Sequence, residues 1–104
     1  MSACERYDPE TDSWESVAPL PGFRTQHAGA SWSRPSENLH WLFVSGGLDR
    51  DLVLLSMRRY DASSDTWVSR APMLTPRADH VMLSLGDRLY VCGGWYEDGE
   101  TGNR

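Results

Sequence analysis

At 104 residues the chain has the length of one small domain, and 39% hydrophobic with 24% charged residues marks a folded rather than a disordered protein. A net charge of −5 leaves no Lys/Arg stripe to neutralise phosphates, which excludes nucleic acid as the main partner. No apolar run approaches bilayer-spanning length, so no membrane partner is expected either.

From the N-terminus, the first six residues lack the charged-then-apolar order of a signal peptide. A short strand over residues 5–7 enters a turn over 8–12, where Asp8, Pro9 and Asp12 supply local side-chain bonds and a fixed φ. A strand over 13–17 follows. The next strands are expected over 26–32 and 40–45, joined by a loop over 33–39. A strand over 54–60 leads into a second turn over 61–65, then a short strand over 66–70. Two last strands, 79–85 and 88–92, flank Gly86-Asp87, a two-residue hairpin signal. No segment keeps a helical period through a credible helix length.

The order repeats. Residues 6–31 laid over 59–84, an offset of 53 without gaps, match at 11 of 26 positions: Arg6/Arg59, Tyr7/Tyr60, Asp8/Asp61, Asp12/Asp65, Trp14/Trp67, Ser16/Ser69, Ala18/Ala71, Pro19/Pro72, Arg24/Arg77, His27/His80 and Ser31/Ser84. Ordinary residue usage gives roughly one or two matches. Residues 41–47 match 88–94 at an offset of 47, both ending in Gly-Gly, so the first copy carries six extra residues between the blocks. Four antiparallel strands in a repeat near 50 residues is the pattern of a β-propeller blade.

These residues resemble the kelch repeat: Gly46-Gly47 ends a strand and is followed by Tyr60 and Trp67, spaced by seven. Gly93-Gly94 opens a further copy, and Tyr7 with Trp14 belongs to a preceding one. The wording of residues 7–14 is similar to the kelch-like (BTB–kelch) group. The resemblance implies an all-β, incomplete kelch propeller: residues 1–25 as the outer half of one blade, 26–70 as a complete four-stranded blade, and 71–104 as the inner half of the next plus a tail. In that group the propeller captures substrates for a cullin-based ubiquitin ligase, while separate BTB and BACK domains contact the ligase; kelch scaffolds of the cytoskeleton are the alternative. The implied partners are a protein or peptide, together with remaining propeller blades or further copies of the chain.

Most conspicuous residues read as scaffold. Neither Gly-Gly pair is followed by Gly-Lys-Ser/Thr, so the glycines serve backbone angles rather than phosphate binding. Repetition of Tyr7/Trp14 as Tyr60/Trp67 points to packing between sheets, and repetition of His27 as His80 argues against a bespoke catalytic or metal site. Some kelch-fold propellers are copper oxidases, but that chemistry needs a His and Tyr set, and only His40 stands outside the repeat. No enzyme activity, cofactor or metal is expected. Cys4 and Cys92 lack C-x-x-C spacing. Cys92 is expected to be buried and inert, and Cys4 exposed. Two cysteines and no N-x-S/T site fit a reducing, cytoplasmic setting. The acidic stretch 97–100 reads as a solvated loop.

Positions that differ between the copies are free to specify a partner. With kelch-like geometry, the loops after Gly-Gly and the entries to the innermost strands share one face. The candidates there are Gln26, Leu48, Arg50, Asp79, Trp95 and Tyr96, with an exposed Trp-Tyr pair beside a guanidinium as the expected contact surface. The loop over 33–39 is expected on the opposite face.

Overall fold

The computed structural model describes residues 2–96, so the acidic stretch 97–100 lies outside the described residues. Ten strands follow one another: β1 (Cys4–Asp8), β2 (Ser13–Val17), β3 (Ala28–Arg34), β4 (Leu39–Ser45), β5 (Leu48–Asp49), β6 (Leu52–Val53), β7 (Met57–Asp61), β8 (Thr66–Arg70), β9 (Val81–Leu85) and β10 (Arg88–Cys92). The central sheet is four-stranded and antiparallel in the order β3-β4-β7-β8; β1-β2, β9-β10 and the small β5-β6 are two-stranded. No α-helix occurs among the described residues. This is the architecture expected of an incomplete propeller, one four-stranded blade between two hairpins.

The repeated aspartates build the repeated turns. Asp8 accepts from the Glu10 backbone N–H at 2.9 Å, and Asp61 from that of Ser63 at 3.0 Å. Asp12 and Asp65 close the turns in the left-handed region, at φ 52° and 54°. Their carboxylates take the hydroxyls of Tyr7 at 2.6 Å and Tyr60 at 2.7 Å, which locks each turn onto the strand before it. Gly86-Asp87 makes the expected tight hairpin, with Leu85 opposite Arg88 and Gly86 at φ 62°.

Three strand starts shift by two or three residues. Strands over 26–32 and 79–85 begin two residues later, because Gln26 and Asp79 both sit at φ 56° and cannot extend a strand. The strand over 54–60 begins at Met57, since the Leu54 N–H is drawn to the Gly47 carbonyl at 2.8 Å and closes a loop around β5-β6. The extra six residues lengthen a hairpin rather than form a loop: β3 and β4 pair as far as Arg34 opposite Leu39, capped by a 3₁₀ turn at Pro35–Glu37.

Alternation along β4 gives the central sheet two different faces. Phe43 joins Ala28 and Met82 in the buried core, with Trp41, Met57, Leu89 and Val91 packed around it, so the β9-β10 hairpin covers this face. Leu42 and Val44 point to the other side. There, with Tyr60, Trp67, His27, Leu20 and the β1-β2 hairpin, they line an open cavity of about 530 Å³.

The matched aromatic pairs fare differently. Tyr60 is 8% exposed and Trp67 half-buried, their rings 5.0 Å apart. The Trp67 indole donates to the Ala18 carbonyl at 2.9 Å, and the Ala18 N–H donates to Asp65 at 2.9 Å. Tyr7 and Trp14 make the same stack at 5.2 Å, yet Trp14 is 65% exposed because nothing among the described residues stands where Ala18 stands for Trp67. Cys92 likewise corrects the expectation of a buried thiol. It is exposed, since β10 pairs only with β9 and its outward face is uncovered. Cys4, expected to be exposed, is half-buried on the cavity wall.

Candidate functional site

The ladder of β3 and β4 ends at Ala28 opposite Ser45, and the residues beyond it form one rim. Thr25 and Leu48 pair there through two backbone bonds of 2.9 and 2.7 Å; one repeat later, Ala78 and Trp95 do the same at 2.9 and 3.0 Å. The Asp79 N–H donates to the Gln26 carbonyl at 2.9 Å, joining the two repeats along the rim. The Trp95 indole donates to the Asp79 carboxylate at 3.3 Å.

Gln26, Leu48, Asp79, Trp95 and Tyr96 are thereby brought to a common edge. Arg50 stands exposed at the turn between β5 and β6, held at φ 58°. Trp95 and Tyr96 are half-buried rather than fully exposed. Both rings help line a recess of about 220 Å³ with Thr75, Pro76, Arg77 and the Gly93-Gly94 pair. The 3₁₀ turn at Pro35–Glu37 lies at the far end of β3 and β4, away from this rim.

The Gly-Gly pairs make the rim possible. Gly47 adopts φ 96°, and a Cβ on it would sit 2.5 Å from the Thr25 carbonyl; Gly94 stands in the same relation to Ala78. Side chains cannot approach that closely, so the pairing of the rim segments requires glycine. The Gly47 N–H also donates to the Arg77 carbonyl at 2.8 Å, across to the next repeat.

Of three supporting elements, His80 was read from the sequence as scaffold and the other two went unassigned. Arg24 is buried and donates to the Gly46 carbonyl at 2.9 Å, the Ser56 carbonyl at 3.2 Å and the Ser56 hydroxyl at 2.7 Å. Arg77 makes the matching bond to Gly93 at 2.8 Å. Each arginine fastens a Gly-Gly strand end beneath the rim, and their identity at the 53-residue offset was the available signal. His80 is buried with Nε2 3.0 Å from the Ser45 hydroxyl, and burial followed by the Arg77 charge pushes its pKa down. That holds the ring neutral and structural. The third element has no repeat to betray it: Trp32 stacks on Trp41 at 5.0 Å, with the Arg34 guanidinium 5.1 Å from the first ring and that of Arg59 4.2 Å from the second. The stack braces the face that receives β9-β10, where the Trp32 indole donates to the Asp87 carbonyl at 3.1 Å.

No cluster of three or more His, Cys, Asp or Glu side chains among the described residues is arranged to hold a metal ion. What the rim offers is a carboxylate, a guanidinium, an amide and aromatic edges on rigid supports, which suits recognition of polypeptide.

The Kelch motif family matches residues 1–21. Kelch-like protein 36 of Bos taurus is 40% identical over 96 residues, covering 90% of this chain. Kelch-like protein 26 of Danio rerio is 32% identical over 95 residues, also covering 90% of this chain. The Influenza virus NS1A-binding protein homolog of Xenopus laevis is 45% identical over 53 residues, covering 51% of this chain and 8% of that protein. The chain spans 15% of the length of either kelch-like relative.

Proposed function

The chain belongs to the kelch-like family of kelch-repeat proteins, and from that membership we propose that it is a non-enzymatic module that binds a protein or peptide on the Gln26–Trp95 rim. What supports this is the sorting of residues: matched Trp67 bonds across to the neighbouring repeat, while unmatched Leu48 and Trp95 pair along the rim and unmatched Arg50 is exposed at the turn that follows Leu48. Arginine and aromatic side chains on rigid supports supply contact area at low rotamer cost and a fork for carboxylates. A relative named for binding another protein supports the same class of activity.

The finer proposal is that the module serves substrate recognition for a cullin-based ubiquitin ligase in the cytoplasm. No helix among the described residues is long and apolar enough to cross a membrane. A cytoskeletal scaffold is the second reading. Co-purification of the full-length protein with a cullin supports the ligase role; association with actin filaments without a cullin supports the scaffold.

Peptides selected on this chain from a display library test the rim itself. The double variant Arg50→Ala/Trp95→Ala should lose about 2 kcal/mol or more of affinity for them if these side chains are hot spots. Unchanged affinity, with loss instead on altering Ser36 and Glu37, would move the site to the opposite face.

A further inference from the structure

The segment 48–55, which carries β5 and β6, lies between two neighbours that the chain itself supplies. On one side Thr25 and Leu48 exchange two backbone bonds. On the other, the Arg77 N–H donates to the Leu54 carbonyl at 3.1 Å and the Met73 N–H to the Leu55 carbonyl at 2.8 Å. What stays exposed on this segment is therefore exposed with both flanking segments already in place. Val53 is buried, whereas Leu52 is 64% exposed and Leu55 38%. On the flanking segments Phe23 is 44% exposed and Leu74 completely so. Large apolar side chains gathered on neighbouring loops mark an interaction surface.

The repeat itself does not demand these residues. Positions that pack one repeat on the next are matched, as Trp14 and Trp67 are, but at the same offset Phe23 stands against Pro76 and Leu74 against Pro21. The charges beside them have one sign in excess. Asp49, Asp51 and Asp79 are accompanied by one outward cation, Arg50. The guanidiniums of Arg24 and Arg77 in the flanking segments are committed to the Gly46 and Gly93 carbonyls. Ion pairs among the described residues join Arg6 to Glu15, Arg34 to Glu37 and Arg88 to Asp87, and none engages the rim aspartates. Arg50, placed between Asp49 and Asp51, can take one carboxylate while its surroundings stay net negative. We propose that the rim takes a net-basic peptide with large apolar side chains, its cations beside Asp49, Asp51 and Asp79 and its apolar residues on Phe23, Leu52, Leu55 and Leu74. This deepens the reading of the rim as the binding surface and rests on it. Burial of the leucines supplies affinity, and the aspartates supply selection by charge.

Random peptides displayed on phage and selected on this chain read the chemistry directly. Those selected should carry more Lys and Arg than Asp and Glu, with Leu, Phe or Trp among them. Their affinity should fall at least about threefold between about 0.05 M and about 0.5 M NaCl. Leu52→Ser/Leu74→Ser changes exposed positions, so folding should hold while the peptides bind at least about tenfold more weakly. Asp49→Asn/Asp51→Asn should weaken them about fivefold and, used as bait for a fresh selection, should return peptides without the basic excess. The same peptides should bind the full-length protein; failure there would mean that adjoining chain covers the patch and would overturn the proposal. Acidic or neutral peptides from the wild-type selection, or basic ones indifferent to both double variants, would also overturn it. If such peptides still lose affinity on Arg50→Ala/Trp95→Ala, the rim stands as the binding surface and only the chemistry of its occupant is wrong. Loss confined to variants of Ser36 and Glu37 would overturn both readings. Self-association of the wild-type chain in light scattering, abolished by Leu52→Ser/Leu74→Ser and without peptide binding, would make a second copy the occupant instead.

Discussion

Trp67 and Trp14 share a sequence context and a local stack but not an environment, and replacing each with alanine measures what the environment contributes. Truncating a fully buried Trp costs about 3–5 kcal/mol. Trp67 is half-buried, so its packing share is about 2 kcal/mol, and losing the 2.9 Å bond to the Ala18 carbonyl adds about 1. Trp67→Ala should therefore cost about 3 kcal/mol. Trp14 is 65% exposed and keeps only its contact with Tyr7, so Trp14→Ala should cost about 1 kcal/mol or less. Trp67→Phe retains most of the ring without the N–H donor and should fall between them. Urea titrations followed by far-UV circular dichroism give the three values, provided the protein is dilute enough to be monomeric. Equal costs at Trp14 and Trp67 in the monomer would refute the argument, because packing across to Ala18 would then contribute nothing.

Two further predictions concern protons and backbone. His80 is held below its ordinary pKa by burial and then by Arg77, and burial with Arg24 pushes His27 the same way. The unfolded chain thus takes up protons at higher pH than the folded one, so stability is level above about pH 6.5 and declines as pH falls below it. His80→Gln should flatten much of that decline in urea midpoints measured from pH 7 to pH 5; an equally steep profile would mean that the slope arises elsewhere. Arg50 pays for its left-handed backbone, which glycine adopts without a steric penalty. Arg50→Gly should leave stability unchanged or raise it by less than about 1 kcal/mol while weakening selected peptides about tenfold, and a loss of stability would show that Arg50 is a packing residue.

Much of the fold was legible because the chain states its design twice. The turn aspartates, the Tyr–Trp stack, the Gly-Gly ends and the Gly86-Asp87 hairpin all recur or carry local chemistry strong enough to read directly. The rim segments were legible as loops, but not their pairing. Thr25 meets Leu48, and Ala78 meets Trp95, through backbone bonds on which side-chain identity leaves no trace. The Asp79 anchor that turns Trp95 partly inward was equally hidden. The β5-β6 hairpin was missed for a related reason: two residues per strand are too few for alternation to show.

What repetition cannot report is whether a neighbour is present. His80 finds Ser45, but His27, identical in letter and offset, finds no equivalent within the described residues. Cys92 occupies the position of Ser45 and is exposed for the same reason. A repeat sequence encodes what each position requires of the blade beside it, and the requirement persists when that blade is absent from the chain. The exposed Trp14, the uncovered β9 face and the cavity beside Leu42 are thus one unmet demand seen from three places. Val81, Leu83 and Leu85 require an apolar wall that Leu42 and Val44 can supply, and Trp14 requires a carbonyl that Ala71 leaves free among the described residues. Burial of these groups against a preceding and a following blade, whether from another copy or from a longer chain, is what the matched positions are built to achieve.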